Sequence, residues 1–93
     1  MSNVLDTSRF ATQLAADGYG EIEAKTLAPH HRTNEHDHPF AVRGLVLEGA
    51  FTITVDGEPR VYRPGEEFAL EANRLHFETV GAEGVRLVAG HRR

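Results

Sequence analysis

The chain of 93 residues contains no cysteine, no tryptophan and only one methionine. The lack of cysteine excludes a disulfide framework, a zinc–thiolate site and a thiol nucleophile. Any metal site must therefore be built from nitrogen and oxygen ligands, and six histidines are available for it.

Long apolar runs and an excess of basic charge are missing as well. No apolar run approaches the ~18 residues of a membrane span, and the first six residues lack the basic and then apolar pattern of a signal peptide. The net charge of −4 argues against nucleic acid as a partner, because nucleic-acid binding usually requires a basic face. We therefore expect a cytoplasmic protein without a membrane or nucleic-acid partner.

The length predicts a single domain spanning residues 1–93. A short amphipathic helix is predicted over about residues 6–17, because Phe10 and Leu14 stand four positions apart and Gly18 and Gly20 follow. This helix is expected to pack over the mouth of a barrel or over an edge strand.

From Gly20 onwards the sequence indicates β-structure over about residues 21–90. Ile22, Ala24 and Thr26 alternate with charged residues, which predicts a half-buried strand. The apolar run 45–47 indicates a segment buried on both faces, and the strand containing it is predicted to end at Gly49. Turns are predicted at positions 56–57, 64–65, 72–73 and 81–84. Seven or eight short strands with this spacing favour an all-β antiparallel sandwich or barrel.

Three histidines are the candidate metal ligands. His36 and His38 are two positions apart, so on a strand beginning at residue 36 both imidazoles lie on one face. His76 follows the turn at 72–73 on another strand, and a barrel that joins the two strands brings the three rings together. Imidazole binds several divalent transition metals, so zinc, iron, nickel and manganese are not distinguished. The alternative is two polar residues at the start of a strand and a core histidine.

These histidines and their spacing resemble the cupin superfamily, whose first motif is G-x5-H-x-H-x3,4-E-x6-G. His36, His38 and Gly49 match that motif, while Val42 stands at the glutamate position and His30 at the leading glycine. The second motif is G-x5-P-x-G-x2-H-x3-N, and Gly65 and His76 match it. The chain departs from it at three positions, where Glu71, Asn73 and Val80 replace the proline, the second glycine and the asparagine.

The resemblance implies a double-stranded β-helix, a jelly-roll barrel with a short N-terminal helix and with the three histidines pointing inward. Metal-binding members usually take a fourth ligand from the motif glutamate, which is Val42 here. A substitute carboxylate is available at Glu78, which shares a strand face with His76 and is a candidate fourth ligand or hydrogen-bond partner of a ligand. Phe40 and Val42 share the face of His36 and are expected to line the pocket.

The other histidines are expected outside the site. His30 and His31 lie in a loop and are predicted to be solvated, with His30 at most at the pocket edge, and His91 belongs to a predicted frayed tail.

Three functions remain open at this point. The first is a metal-dependent enzyme of oxygenase or isomerase type acting on a small molecule, with its catalytic residues unknown beyond the metal. The second is a non-catalytic sensor or ligand-binding barrel, and the third is a metal-free structural dimer. A homodimer is expected because the apolar run 45–47 indicates a sheet covered on both sides.

Overall fold

The computed structural model describes residues 7–93, which form one helix and five antiparallel strands. In chain order these are α1 (Thr7–Ala16), β1 (Gly20–Leu27), β2 (Ala41–Val55), β3 (Glu58–Tyr62), β4 (Glu67–Leu70) and β5 (Phe77–Arg92). The strand order is β1-β5-β2-β3, and β4 pairs with β2. The prediction of an all-β, jelly-roll fold with a short N-terminal helix is confirmed. Among the described residues, no helix is long and apolar enough to cross a membrane.

The two long strands β2 and β5 form the frame of the fold. They pair from Ala41 opposite Arg92 to Thr54 opposite Phe77, with register shifts on either side of Glu48 and Gly49. The prediction that a strand ends at Gly49 and that 81–84 is a turn is wrong, because both strands continue through these positions. Gly49 has a φ of 82°, and a Cβ there would overlap the carbonyl oxygen of Gly84, so glycine bends the strand here instead of ending it.

Three of the predicted turns are confirmed. Asp56 and Gly57 both have positive φ values, 52° and 78°, as a tight hairpin between β2 and β3 requires. Gly65 and Asn73 are also left-handed, with φ values of 91° and 64°. Each turn has a local cause, because glycine, aspartate and asparagine accept this backbone conformation more easily than other residues.

The core between the two halves of the sheet is apolar. Its buried residues come from β2, β4 and β5, and they are Val46, Phe51, Ile53, Phe68, Leu70, Val80, Val85, Leu87 and Ala89. Because both halves of β2 and of β5 contribute to one cluster, the bend in these strands folds the sheet over its own core.

Helix α1 covers the outer face of the sheet. Phe10 and Leu14 are buried against Tyr19, Leu45 and Val88, so the helix lies over the edge strand β1 and its neighbour β5. Of the two predicted positions, over the barrel mouth or over an edge strand, the structure shows the second. The predicted start at residue 6 lies outside the described residues. The helix ends as expected, and the amide nitrogen of Tyr19 donates to the carbonyl oxygen of Leu14 at 2.9 Å.

The apolar run in β2 is covered on both faces within one chain. Val46 points into the core, whereas Leu45 and Leu47 pack against the cluster under α1. A second copy is therefore not needed to cover this run, and the homodimer loses the observation on which it was predicted. It stays a prediction that the mass measured by light scattering tests.

Strand β1 presents a different face to the core from the one expected. Ala24 and Thr26 are exposed, while Leu27 packs against the core and Ile22 packs under α1. The cause is a register irregularity between residues 20 and 23, where Glu21 has a φ of 50°. Of the odd positions of β1, Leu27 therefore faces the core, whereas Glu23 and Lys25 are exposed.

Candidate metal centre

His36 and His76 are held beside each other by their own backbones. The amide nitrogen of His36 donates to the carbonyl oxygen of His76 at 2.8 Å, and the reverse bond measures 2.9 Å. His38 is fixed through its carbonyl oxygen, which accepts from the amide of Asn73 at 2.6 Å. The prediction of a strand from residue 36 is wrong, since β2 begins at Ala41 and His36 lies in an isolated bridge.

The three imidazole rings converge as the sequence predicts. The ring centroid of His36 lies 4.9 Å from that of His38 and 4.4 Å from that of His76, and the third separation is 5.0 Å. One ring nitrogen from each residue lies within 4.8 Å of the other two. A shift of about an ångström in side-chain positions brings such a set to the ~2.0–2.1 Å metal–nitrogen distances of a shared ion.

Two of the rings have their tautomer set by backbone carbonyls. Nδ1 of His36 lies 2.7 Å from the carbonyl oxygen of Asn34, and Nδ1 of His76 lies 2.9 Å from that of Arg74. Because a carbonyl oxygen only accepts, each Nδ1 carries the hydrogen and donates it. Each neutral ring then holds a lone pair on Nε2, which is the form that binds a metal ion.

Within residues 7–93, the Nε2 atom of His76 has no hydrogen-bond partner, although the side chain is 1% exposed. Oε2 of Glu78 lies 3.4 Å away, which is within ion-pair range, but the two groups are not aligned as a hydrogen bond. Distance alone does not satisfy a buried polar atom, so Nε2 still needs a partner. A buried lone pair of this kind fits a metal ion as its missing partner.

The surroundings of His38 favour the neutral form of its ring. Burial and the neighbouring imidazoles of His76 and His36 lower the pKa of His38 from its ordinary value of 6.5, against a smaller opposing effect of Glu78. A lowered pKa keeps the imidazole unprotonated to lower pH, so its lone pair stays available to a metal.

An aromatic stack, rather than a hydrogen bond, orients the ring of His38. Phe40 stacks on it with a centroid separation of 5.0 Å and an interplanar angle of 9°. His91 stacks on Phe40 at 4.1 Å and 16°. The prediction that His91 belongs to a frayed tail is therefore wrong, because it lies in β5 and pairs with Val42 of β2.

A cavity of about 280 Å³ lies next to His36 and His38. Its lining contains these two histidines and eleven other residues, which are Lys25, Leu27, His31, Phe40, Val42, Phe51, Phe68, Glu78, Leu87, Ala89 and His91. The expected positions of Phe40 and Val42 agree with this lining, and Glu78 also faces the cavity. His76 is not part of the lining, and its side chain is buried.

Several cavity residues were not predicted from the sequence. The prediction that His31 lies outside the site is wrong, because His31 lines the cavity, whereas His30, placed at most at the pocket edge, does not. Lys25 also lines the cavity, from an odd position of β1. His91 could have been found, since Leu87, Ala89 and His91 alternate along one strand and share a face. For Lys25 and His31 no local signal exists, because their placement depends on long-range pairing.

Comparisons with known proteins agree with the fold. The family model described as a cupin domain matches residues 25–89. A search of curated proteins finds no significant match. A protein of unknown function from Rhizobium leguminosarum bv. viciae 3841 superposes with a TM-score of 0.71 and 21% identity, over 76% of this chain and 67% of that one.

Two further solved structures are similar in fold. An RmlC-like cupin from Shewanella frigidimarina NCIMB 400 superposes with a TM-score of 0.64 and 21% identity, over 78% of this chain and 68% of that one. An oxalate oxidase in complex with the substrate analogue glycolate gives a TM-score of 0.65 and 23% identity. In that case 76% of this chain covers only 40% of the other.

Proposed function

The chain belongs to the cupin domain family, and we propose that it binds one divalent transition-metal ion through His36, His38 and His76. The observation that carries the proposal is the Nε2 atom of His76, which is buried and lacks a hydrogen-bond partner while the other two rings face it. Leaving such an atom unsatisfied costs about 1–3 kcal/mol. A bound ion removes that cost and gives the three lone pairs a common partner.

The ion is proposed to hold a small ligand in the adjoining cavity. At about 280 Å³ the cavity is slightly smaller than the roughly 300–1,000 Å³ of sites for drug-sized molecules. One wall carries the imidazoles, and the rest is largely apolar through residues such as Val42, Phe51 and Leu87. This division suits a small molecule with an oxygen-donor head and an apolar body.

The metal would supply Lewis-acid chemistry, polarising a bound carbonyl or carboxylate or activating water. The protein's own contribution is to orient two of the rings through backbone carbonyls and to shield the bound head group with apolar side chains. Because one fold supports many reactions, the choice between an enzyme and a binding barrel depends on the ligand and not on the barrel.

A metal-free ligand-binding barrel is the second candidate. It is favoured by Val42, a residue that cannot ligate, at the position where the family motif has glutamate. The apolar lining of the cavity would still accept a small hydrophobic molecule in this case. Metal content separates this candidate from the first.

The test is elemental analysis of protein purified without a nickel column. We expect about one divalent metal per chain in the wild type and little in His38→Ala. His31→Ala is the matched control, since it removes a cavity histidine that lies outside the triad, and it should retain the metal. Equal metal content in His38→Ala and the wild type would overturn the proposal.

A second measurement distinguishes the enzyme from the binding barrel. The protein is loaded with a redox-active metal and incubated with small carboxylates and diketones, and dioxygen uptake and products are followed. Turnover that disappears in His38→Ala supports an enzyme. Ligand binding without turnover supports a ligand-binding barrel without catalytic activity.

A further inference from the structure

We infer that Glu78 is a fourth protein ligand of the metal, supplied by β5 in place of the missing carboxylate at Val42. The inference rests on the proposed function, because it concerns the same ion. It assigns to this chain a ligand set of three imidazoles and one carboxylate in which the carboxylate comes from a different strand than the family motif provides.

The position of Glu78 is fixed by its strand and by a neighbouring loop. It stands two residues after His76, so both side chains leave the same face, and it lines the cavity beside the histidines. Its amide nitrogen donates to Oγ1 of Thr33 at 2.9 Å, and its carbonyl oxygen accepts from the amide of Thr33 at 3.0 Å. The backbone under the carboxylate is therefore held on both sides.

The carboxylate of Glu78 lacks a fixed cationic partner. Its side chain is 19% exposed, and within residues 7–93 the only ionisable base in ion-pair range is His76. Several other acids pair with arginine, as Glu48 does with Arg86 at 2.8 Å and Asp56 with Arg74 at 2.9 Å. A largely buried carboxylate normally needs a positive charge beside it, and none is provided by lysine or arginine here.

Two acceptor atoms face each other at this point. The Nδ1 hydrogen of His76 is donated to the carbonyl oxygen of Arg74, so Nε2 presents a lone pair. Oε2 of Glu78 presents another at 3.4 Å. In the neutral form of His76, which is the form that binds a metal, these two atoms are acceptors with no hydrogen between them, and a shared metal ion satisfies both.

The separation of the two atoms also has the size expected for ligands of one ion. With metal–nitrogen and metal–oxygen distances of about 2.0–2.2 Å and tetrahedral angles, two ligand atoms are about 3.4 Å apart. The observed distance from Nε2 of His76 to Oε2 of Glu78 is 3.4 Å. Relative to His76 the carboxylate therefore already lies at a ligand separation, while the group of ligand atoms within 4.8 Å of one another comprises the three histidines alone, so the Glu78 side chain must rotate toward His36 and His38 to coordinate the same ion.

In the test, metal-free protein is titrated with Co²⁺ and Zn²⁺ in competition with a chelator, which measures metal affinity. The Co²⁺ spectrum reports the coordination of the bound ion. Glu78→Gln keeps the shape of the side chain and should weaken binding by about 100-fold or more, beyond the ~10–100-fold typical of a residue that only supports a ligand. The visible Co²⁺ spectrum should change in this variant. Glu48→Gln, which alters an exposed and arginine-paired carboxylate, is the matched control and should change neither.

The variant Glu78→Asp distinguishes a role of Glu78 as a metal ligand from a role of its negative charge alone. It keeps the negative charge but withdraws the carboxylate by one methylene, so a ligand role predicts at least a 10-fold loss of affinity. Wild-type affinity in Glu78→Asp together with a loss in Glu78→Gln would show a purely electrostatic role and overturn the inference. An unchanged Co²⁺ spectrum in Glu78→Gln would also overturn it. Both results leave the three-histidine site intact, whereas a wild type that binds no metal would defeat the proposed function itself.

Discussion

Phe40 should control the metal affinity of this site without being a ligand. Two of the three proposed ligand rings are fixed by hydrogen bonds from Nδ1 to backbone carbonyls. Within the described residues 7–93, no hydrogen bond reaches the ring of His38, which instead stacks on Phe40 at 5.0 Å. The substitution Phe40→Leu removes that flat surface while keeping an apolar side chain of similar length.

The size of the effect follows from the energy of one aromatic pair. Such a pair contributes about 0.5–1.5 kcal/mol beyond burial, and about 1.4 kcal/mol corresponds to a tenfold change in affinity. Phe40→Leu should therefore weaken metal binding by roughly 2- to 12-fold. Deleting the ligand itself in His38→Ala should cost far more, because it removes a coordinate bond and not only the orientation of a ring.

The assay is a chelator competition titration of metal-free protein. Phe40→Tyr keeps the ring and should remain within about twofold of the wild type. Phe51→Leu shortens another cavity phenylalanine, which contacts Phe68 at an interplanar angle of 52° and not a histidine, and serves as the control for general loosening. Wild-type affinity in Phe40→Leu would refute the reasoning, and so would a loss as large as that in His38→Ala.

Two further outcomes are expected. Val42→Glu should tighten divalent-metal binding and weaken the binding of acetate- or oxalate-like ligands, because the new carboxylate would compete with these ligands for the metal, and calorimetry on both proteins measures this. Unchanged affinities would mean that residue 42 does not face the metal. Gly49→Ala should lower the free energy of unfolding by about 2–5 kcal/mol, since it combines a left-handed φ of 82° with overlap against the carbonyl of Gly84. Wild-type stability in urea would contradict this account of the bend.

The features predictable from the sequence are those with a local cause. The hairpin at Asp56-Gly57 follows from two residues that accept positive φ, and the histidine triad follows from the spacing of His36 and His38 together with one later histidine. Glu78 follows from the two-residue period of a strand. The hairpin and the shared face of Glu78 and His76 depend on neighbours within a few positions, whereas the approach of His76 to His36 and His38 is a long-range contact that only the resemblance to the cupin motifs indicated.

The features that the sequence did not reveal depend on distant pairing. A glycine such as Gly49 marks a turn or a bulge equally well, and only the partner strand β5 shows that the chain continues. The face of β1 that meets the cavity was predicted with the opposite alternation, because one irregularity near Glu21 shifts every later side chain. Lys25 therefore lines the cavity, and Ala24 is exposed at the surface.

The burial of the three histidines also determines how an ion reaches the site. His36 and His38 line the cavity, whereas His76 is 1% exposed and lies behind them. In the described part of the chain no hydrogen bond reaches the ring of His38, so of the three rings it is the easiest to rotate. A metal entering through the cavity would meet the adjustable ring and the carboxylate of Glu78 before it reaches the fixed lone pair of His76. A ligand that fills the cavity would block this path. We therefore expect a bound ligand both to contact the metal and to slow its release.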